Sequence, residues 1–457
     1  MVRQAIVLFS RYILQESRKG LSMKNLASFR DAVLTLKGYR MSKNLMQSTQ
    51  FFFPEQIATF QLKRLRIVLD ACYRYVPYYQ KLFWEHDFDP HHISSVEDLK
   101  RLPVLTKDTV RAKLAEFCSM KELREAVLLH TSGTTGIPLN TYTSIGQWVV
   151  EQSAIWRQWG WAGYRFHDRM AIIRSYAPKS SDPLCKLDKL RNWFYFSPYH
   201  LSEEHCRRHL SILAKWKPKY LRGYPSSLYL LARVAKHEGL KLPSLCAAFT
   251  ASETLLNHYR REIEEAFGIK VFDHYGQAEI TAMLHECERH EGLHVLSDYG
   301  LVEFLPSEQN GLYRMIATNL HNTAMPLLRY DTGDLVELAD QPCSCGRTFP
   351  LVRRVVGRSD QLLLHRGGFH IPSINIYTYF SKQEDILRFQ VIQRSKDDVE
   401  VRIAPRAGVS DSNLLNKVRC EMNLRFGGEV NVVLTQQFEQ SGEGKCIPIL
   451  QKAHTVI

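Results

Sequence analysis

Short apolar segments that look like strands alternate with amphipathic helical segments through the middle of this 457-residue chain. The strand-like segments are residues 126–129, 170–173, 220–223 and 270–272. The helical segments are residues 205–215, 228–237 and 257–267. Parallel strands need a crossover connection, usually a helix. The alternation therefore predicts an α/β protein whose helices cover a largely parallel sheet.

Two later segments, residues 300–304 and 311–318, look instead like antiparallel strands of a small barrel-like part or sub-sheet. A boundary near residues 357–360 leaves a C-terminal domain of about 100 residues. We therefore predict three parts: a basic helical arm at residues 1–52, a large layered α/β domain at 53–357 and a small α+β domain at 358–457.

Positive charge is concentrated in the arm. Residues 1–52 carry nine Lys and Arg against Glu16 and Asp31, which is more than half of the formal net charge of +13. Residues 2–14 mix apolar and basic side chains, a pattern typical of an interfacial membrane anchor or of a helix that packs on the protein, and we favour the packing helix. No recognised nucleic-acid-binding module accompanies the charge, so nucleic acid is not an expected partner.

The composition is typical of a globular protein of the cytoplasm. No apolar run approaches the roughly 18 residues of a spanning helix, and the first residues lack a secretory cleavage pattern. Ten Cys are too sparse for a disulfide scaffold, which favours a reducing compartment. We expect a cytoplasmic protein, with peripheral membrane contact through the arm as an alternative, and the sequence indicates no oligomeric state.

A segment rich in glycine and hydroxyl groups follows the first apolar run. Its residues are Thr131, Ser132, Gly133, Thr134, Thr135 and Gly136. The glycines allow the backbone to approach a ligand closely, and the hydroxyl and N–H groups can donate to phosphate oxygens. The segment lacks the Gly-Lys-Ser/Thr ending of a Walker A loop. We interpret it as a phosphate-binding loop, with a polar glycine-rich turn as the alternative.

Further motifs follow this loop. They are Thr250-Ala251-Ser252-Glu253, Tyr275-Gly276-Gln277-Ala278-Glu279, Tyr330-Asp331-Thr332-Gly333-Asp334, Gly357-Arg358-Ser359-Asp360 and Gly442-Glu443-Gly444-Lys445. With these motifs in this order, the chain resembles the adenylate-forming (ANL) superfamily, specifically the phenylacetate:CoA ligase branch and its capsular polysaccharide relatives. The resemblance runs from about Phe53 to the C-terminus. It implies a large ANL-type domain and a small mobile C-terminal domain.

The resemblance also implies an ATP site. In it, the loop at residues 131–136 closes over the phosphates, and Ala251, Ser252 and Glu253 line the adenine. Tyr275, followed by Gly276, stacks on the base. Glu279 holds Mg²⁺, which prefers hard oxygen ligands, and Asp334 accepts hydrogen bonds from the ribose hydroxyls. Ala278 departs from the hydroxyl residue that is usual before this glutamate.

Two motifs near the end of the chain complete the implied machinery. Arg358 contacts ribose or phosphate, Asp360 is the hinge of the C-terminal domain, and Lys445 bridges the substrate carboxylate and the α-phosphate. A lysine charge suits a transition state in which negative charge develops on α-phosphoryl oxygens. Lys445, Glu279 and Arg358 are therefore the predicted catalytic residues.

A second group of residues indicates a metal site. Cys343 and Cys345 are one residue apart, and Cys287 and His294 lie upstream. Two cysteines with a distant Cys and His can complete a tetrahedral structural Zn²⁺ site, and some relatives of this branch carry one. His285 or His290 can replace His294 in this hypothesis, and reduced buried cysteines without metal are the alternative.

The resemblance implies an enzyme, an acid–thiol ligase of the adenylate-forming type. A carboxylic acid attacks MgATP to give acyl-AMP and pyrophosphate, and in the first hypothesis the acyl group then passes to coenzyme A, as in phenylacetate:CoA ligases. Residues 222–227 resemble the capsular polysaccharide relatives, so transfer to a sugar amine or another non-CoA acceptor is a second hypothesis. A non-catalytic nucleotide-binding scaffold is the third. The acid itself cannot be predicted.

Overall fold

The computed structural model describes most of the chain. The described residues are 23–44, 46–123, 126–130, 139–176, 178, 183–198, 201–308, 311–358, 362–367, 370–372, 376, 379–380, 383, 385–406, 411–440 and 447–452. The predicted phosphate loop at 131–136, the predicted hinge Asp360 and the predicted catalytic Lys445 lie outside these residues, as does the amphipathic segment 2–14. For Arg358 the backbone alone is described.

Helices dominate the first third of the described chain and return between the strands. The α-helices are Met23–Asn44, Met46–Thr49, Pro54–Tyr75, Pro77–Glu85, Lys107–Ala112, Leu114–Phe117, Ile145–Trp161, Glu203–Trp216, Pro225–His237, Asn257–Phe267 and Asp411–Phe426, with a 3₁₀-helix at Val96–Arg101. Proline begins three of them, a position where its missing N–H group costs no helical hydrogen bond. Among the described residues, no helix is both long and apolar enough to cross a membrane.

The strands of the large domain are numbered in chain order. They are β1 (Val127–His130), β2 (Asn140–Thr143), β3 (Met170–Ile173), β4 (Cys185–Asp188), β5 (Trp193–Phe196), β6 (Tyr220–Gly223), β7 (Ala247–Ala251), β8 (Lys270–Gly276), β9 (Met283–Glu286), β10 (Leu293–Val295), β11 (Gly300–Pro306), β12 (Tyr313–Asn319), β13 (Tyr330–Leu338) and β14 (Leu351–Arg358). The later strands are β15 (Leu362–Leu364), β16 (His370–Pro372), β17 (Ile386–Gln393), β18 (Val399–Pro405), β19 (Asn431–Leu434) and β20 (Ile449–Gln451).

Twelve of these strands form one continuous sheet, in the order β11-β12-β13-β14-β10-β9-β8-β7-β6-β3-β5-β4. The strands β5, β3, β6, β7 and β8 run parallel to their neighbours in this row. From β8 through β11 every pairing is antiparallel. The predicted α/β class is confirmed, and so is the antiparallel pairing of the strands that begin near residues 300 and 311.

One strand prediction differs in its partner. The first apolar run does form β1, but β1 pairs antiparallel with β2 in a separate two-stranded sheet rather than joining the parallel one. The connection explains the difference, because only nine residues separate the two strands. That length suits a hairpin loop, whereas a parallel crossover needs a dozen residues or more. The prediction that residues 126–129 form a strand of the parallel sheet is therefore wrong.

The parallel strands are covered on both faces. On one face, Ala171, Leu221 and Ala248 pack with the helices at 203–216, 225–237 and 257–267. On the other face, Ile172 and Phe249 pack with Trp156 and Trp159 of the helix Ile145–Trp161. Because side chains alternate along a strand, this double cover requires apolar residues at consecutive positions. The sequences Met-Ala-Ile-Ile in β3 and Ala-Ala-Phe-Thr-Ala in β7 are wholly buried.

The described part of the N-terminal arm packs on the large sheet's helical layer. Gly38 lies so close to the helix Ile145–Trp161 that a Cβ placed there would be 2.8 Å from the Cβ of Gln152. One residue later, the ring of Tyr39 contacts Trp156 at a centroid distance of 5.2 Å. Glycine permits this close approach because it has no side chain. The arm segment from Met23 onward is thus part of the packed protein.

A buried ion pair fixes the end of this arm. Arg157 donates to both carboxylate oxygens of Asp298, at 2.6 and 3.0 Å, and the two side chains are 0% and 1% exposed. Arg157 also donates to the carbonyl of Met46, and the Thr49 hydroxyl donates to Asp298 at 2.5 Å. A bidentate pair with further hydrogen bonds is the geometry in which a buried pair is best compensated.

The C-terminal strands form separate small sheets. The strands β19, β18, β17 and β20 form a four-stranded mixed sheet with its own hydrophobic core, against which the helix Asp411–Phe426 packs. The strands β15 and β16 pair in a two-stranded sheet. The predicted boundary near residues 357–360 begins at the last two residues of β14, and it stays a prediction.

Candidate active site

The parallel strands end at one edge of the sheet, and predicted site residues follow them there. The strands β3, β6, β7 and β8 end at Ile173, Gly223, Ala251 and Gly276. Their registers align Ile173 with Gly223 and Gly223 with Thr250, so these carboxyl ends lie side by side. Ligands of open α/β sheets bind outside the carboxyl ends of the strands. This edge is therefore the candidate active site.

Hydrogen bonds from two neighbouring elements hold the predicted adenine-binding segment, residues 250–253. Ala251 is buried at the end of β7, and Ser252 adopts a left-handed backbone with φ of 73°. Oε2 of Glu253 accepts a 3.0 Å hydrogen bond from the N–H of Ser226, in the first turn of the helix Pro225–His237. Arg174, just after β3, donates to the Ser252 hydroxyl at 3.3 Å. A carboxylate at a helix N-terminus is favourable, so Glu253 stabilises the segment's conformation.

Residues from three of the predicted motifs meet at the end of β8. The hydroxyl of Tyr275 donates a 2.6 Å hydrogen bond to Oδ2 of Asp334. Asp334 follows Gly333, whose φ of 73° belongs to a turn that glycine favours. The backbone partner of Asp334 on the next strand is Arg358. Burial, reinforced by the Asp334 charge, raises the pKa of Tyr275 well above its ordinary value, so the phenol is neutral.

The predicted magnesium ligand lies in the same region with a cation beside it. The carboxylate of Glu279 is buried, and Oε1 accepts a 2.9 Å hydrogen bond from the Tyr330 hydroxyl. Nζ of Lys107 lies 3.5 Å from the same oxygen. Within the described part of the chain, Oε2 accepts no hydrogen bond. An available oxygen on a buried carboxylate fits a Mg²⁺ ligand.

Lys107 is a site residue that the sequence analysis missed. It belongs to the segment Leu102-Pro103-Val104-Leu105-Thr106-Lys107, where the hydroxyl of Thr106 accepts a hydrogen bond from the N–H of Thr109 and begins a short helix. Leu105 bridges to Tyr330, the residue that bonds Glu279. The proline and the Thr cap were visible in the sequence, but nothing there indicated a contact across 172 positions.

The hairpin that flanks the predicted phosphate loop is attached near Glu279. The strands β1 and β2 bracket residues 131–139, with His130 opposite Asn140. The hydroxyl of Thr141, on β2, donates a 3.0 Å hydrogen bond to the carbonyl of Ala278. The strand that follows the predicted loop is therefore anchored next to the predicted magnesium ligand.

The sequence analysis named Arg222 within the segment 222–227, but it did not identify the charged group to which Arg222 belongs, on the sheet face that carries Trp156 and Trp159. This group consists of Arg174 after β3, Arg222 in β6, and Glu151 on the helix Ile145–Trp161. The guanidinium of Arg222 lies 4.8 Å over the ring of Trp159, and Glu151 accepts a hydrogen bond from Tyr299. An arginine inside an otherwise apolar strand was the available signal.

The predicted metal ligands, which come from β10, from the residue that follows β9 and from the connection between β13 and β14, are brought together. Ligand atoms of Cys287, His294, Cys343 and Cys345 all lie within 4.8 Å of one another. The Cys287 and Cys343 sulfurs are 3.6 Å apart, and the Cys345 sulfur is 3.4 Å from Nε2 of His294. Tetrahedral Zn²⁺ requires about 3.8 Å between two sulfurs and about 3.6 Å between sulfur and nitrogen. The set fits zinc.

The alternative histidines have other contacts. His290 lies 3.3 Å from a carboxylate oxygen of Glu286, and the ring of His285 packs on His274 at a centroid distance of 4.7 Å. The backbone N–H groups of Arg289 and Arg347 each donate to a cysteine sulfur, at 3.4 Å. Such bonds help to stabilise metal-bound thiolates. The geometry therefore favours His294 as the fourth ligand.

Comparisons with known proteins agree with this fold. No model of a protein family matches the chain. It is 25% identical to Protein CapK of Staphylococcus aureus over 81% of this chain and 84% of that protein. It is 26% identical to phenylacetate-coenzyme A ligase of Thermus thermophilus over 76% of this chain and 81% of that protein.

A solved structure shares the architecture. The 2-hydroxyisobutyryl-CoA ligase, in its postadenylation state, superposes with a TM-score of 0.68 and 19% identity, over 88% of this chain and 90% of that one. The chain therefore has the fold of the adenylate-forming ligases. Its sequence relatives include CapK and phenylacetate-coenzyme A ligases, which confirms the resemblance to that branch.

Proposed function

We propose that the protein is an ATP-dependent ligase that adenylates a carboxylic acid, releases pyrophosphate and transfers the acyl group to coenzyme A. The arrangement of Tyr275, Asp334 and Glu279 at the carboxyl ends of the strands carries this proposal. The neutral ring of Tyr275 suits the adenine base, and the carboxylate of Asp334 beside it suits the ribose. The available carboxylate oxygen of Glu279 suits Mg²⁺. ATP and coenzyme A place the activity in the cytoplasm.

Each group has a defined task in the first half-reaction. Tyr275 stacks on the adenine and, through its hydroxyl, orients Asp334 toward the ribose hydroxyls. Glu279 holds Mg²⁺, which supplies charge neutralisation for the ATP phosphates. Lys107, 3.5 Å from Glu279, adds positive charge near the phosphates. The loop at 131–136 donates hydrogen bonds to the phosphate oxygens.

The C-terminal residues complete the cycle in this proposal. Lys445 stabilises the charge that develops on the α-phosphoryl oxygens as the substrate carboxylate attacks, and Arg358 contacts the ribose or phosphate. The C-terminal part then turns about Asp360, which withdraws Lys445 and admits the thiol of coenzyme A. The four sulfur and nitrogen ligands hold a structural zinc ion, which ties the segments around residues 287–294 and 343–345 together.

Pyrophosphate release tests the proposal. The assay compares wild type with Lys445→Ala across aryl, short-chain and sugar-linked acids, each with and without coenzyme A. An acid-dependent signal that falls at least a hundredfold in Lys445→Ala supports adenylation, and Lys241→Ala, at an exposed position, is the control.

The acceptor and the scaffold hypothesis are resolved by the same assay. Conversion of the adenylate to a thioester selects coenzyme A, whereas accumulation of acyl-AMP until an amine is added selects the non-CoA acceptor. Nucleotide binding without pyrophosphate from any acid favours the scaffold. Vesicle binding by the full chain tests membrane contact separately.

A further inference from the structure

Arg222 carries a charge inside a buried parallel strand. It is the third of the four residues of β6, and its neighbours on the adjacent strands are the buried residues Ile172 and Phe249. Its guanidinium lies 4.8 Å over Trp159, and it makes no hydrogen bond or ion pair within the described residues. Removing a charge from water without a partner is costly.

The region around the guanidinium of Arg222, which includes Trp159, Arg174, Tyr195 and Tyr224, is called the recess below. Arg222 keeps partial exposure, yet burial, its largest influence, lowers its pKa to about 9. The phenols of Tyr195 and Tyr224, on the surrounding elements, act in the opposite direction and raise the pKa of Arg222.

Arg174 adds a second positive charge to this recess. Its guanidinium lies 5.6 Å over the ring of Tyr224, and its one hydrogen bond among the described residues is the 3.3 Å contact with the Ser252 hydroxyl. The Arg174 charge is the second-largest cause of the lowered pKa of Arg222, so the two guanidinium groups repel. Ser252 connects the recess to the predicted adenine segment.

The titratable groups near the two arginines include Glu151 and His274. Glu151 forms no ion pair with either arginine among the described residues; burial, opposed by the hydrogen bond from Tyr299 and by both arginines, raises its pKa to about 7. Burial and the two arginines lower the pKa of His274 to about 3, so the imidazole is neutral. Within the part of the chain that the structure describes, therefore, no carboxylate forms an ion pair with either guanidinium of the recess.

We propose that the acid substrate carries a second anionic oxygen group, in addition to the carboxylate that is adenylated, and that Arg222 and Arg174 bind this group. The inference rests on the proposed function, because it concerns the acid site of that ligase. A carboxylate or phosphate matches the planar donor array of a guanidinium. The substrate class is then a dicarboxylic or phosphorylated acid rather than a simple aryl acid.

The proposal is tested with matched acids that differ in one anionic group. The pairs are butyrate with glutarate, butyrate with 4-phosphonobutyrate, and phenylacetate with 1,4-phenylenediacetate. Binding is measured by calorimetry without ATP, and adenylation by ATP–pyrophosphate exchange. The variants are Arg222→Met, which keeps an unbranched apolar stem, and the control Arg208→Met, at an exposed arginine paired with Glu204.

We expect wild type to bind at least one dianionic acid tenfold or more tightly than its partner, and Arg222→Met to lose this preference. If the dicarboxylic acids bind more tightly, the second group of the substrate is a carboxylate; if 4-phosphonobutyrate binds more tightly, it is a phosphate. Equal binding within every pair, failure of every dianionic acid to bind, or an unchanged preference in Arg222→Met overturns the inference. If a dianionic acid binds in a way that depends on Arg222 but no acid supports exchange, the result supports anion binding by Arg222 and contradicts the proposed ligase activity.

The melting temperature of the ligand-free protein separates a binding role from a structural one. An arginine retained for a ligand destabilises the empty protein, so Arg222→Met should melt at the same temperature as wild type or higher. A fall of several degrees would indicate that Arg222 supports the fold, and it would overturn the assignment.

Discussion

The hydroxyl of Tyr275 donates a 2.6 Å hydrogen bond to the carboxylate of Asp334, although 59 positions separate the two residues. The bond joins the end of β8 to the turn within β13, so the groups proposed for base and ribose form one unit. Removing the hydroxyl leaves the ring in place, whereas removing the ring also abolishes stacking.

We therefore expect Tyr275→Ala to weaken ATP binding more than Tyr275→Phe does. Tyr275→Phe loses only the hydrogen bond to a charged group, which corresponds to about 1.5–3 kcal/mol. Tyr275→Ala loses the same hydrogen bond and also the base stacking, which corresponds to about 1–3 kcal/mol. The KM for ATP in pyrophosphate exchange measures both, with exposed Tyr73→Phe as the control. ATP affinity equal to wild type in Tyr275→Ala would exclude this residue from the base site.

Glu279→Gln keeps an oxygen that can accept the Tyr330 hydrogen bond but loses the charge. We expect activity to fall at least a hundredfold and the Mg²⁺ requirement to rise, because a neutral amide is a much weaker ligand for a hard cation. Titration of activity with Mg²⁺ measures the change, and Glu97→Gln, with a 66% exposed side chain, is the control. An unchanged Mg²⁺ requirement would assign the metal to another group.

Cys343→Ser should release zinc and destabilise the protein. Metal analysis of the wild type is expected to give one zinc per chain, and the variant should contain almost none and melt several degrees lower, because a structural zinc site contributes directly to folding. Exposed Cys246→Ser provides the matched control. A zinc-free wild type with an unaltered melting temperature in Cys343→Ser would favour plain buried thiols.

Glu151 should make stability depend on pH. Burial raises its pKa from 4.5 to about 7, so the folded state prefers the protonated form. Its stabilising contribution is present below about pH 4.5 and is lost as the pH rises through about 7. We expect Glu151→Gln to gain stability relative to wild type between pH 5 and pH 8, measured by denaturant unfolding. A constant difference across this range would contradict the raised pKa, and exposed Glu116→Gln is the control.

Asp298→Ala should cost about 3–5 kcal/mol of unfolding free energy, because it leaves the buried Arg157 charge without its partner. Glu204→Ala breaks an exposed pair with Arg208 and should cost at most about 1 kcal/mol. Urea unfolding of both variants gives the comparison. Similar losses in the two would mean that water reaches Arg157.

The sequence allowed the fold and much of the site to be predicted where a pattern is local. Apolar runs with intervening helices predicted the parallel strands β3, β6 and β8, and the helix Asn257–Phe267 has the predicted bounds. The partner of β1 was predicted wrongly, because an apolar run does not show whether its neighbour is parallel or antiparallel. That information lies in the length of the connection.

Contacts between distant segments could not be predicted in the same way. Cys343 and Cys345 are separated by one residue, so their spacing pointed to a metal. Lys107 meets Glu279, and Arg222 shares a recess with Arg174, only after the sheet has formed. Arg222 begins the segment 222–227, which was noted only for its family resemblance. That no carboxylate pairs with either arginine among the described residues is visible only in the folded protein.

Asp334 faces Arg358, the last residue of β14, on the adjacent strand. The chain thus leaves the large sheet one rung away from the proposed ribose ligand. In any rotation about that exit point, displacement grows with distance from the pivot, so atoms beside Asp334 move least and those far along the C-terminal part move most. A nucleotide bound close to the pivot can therefore remain bound while the rotation replaces the C-terminal residues that contact it.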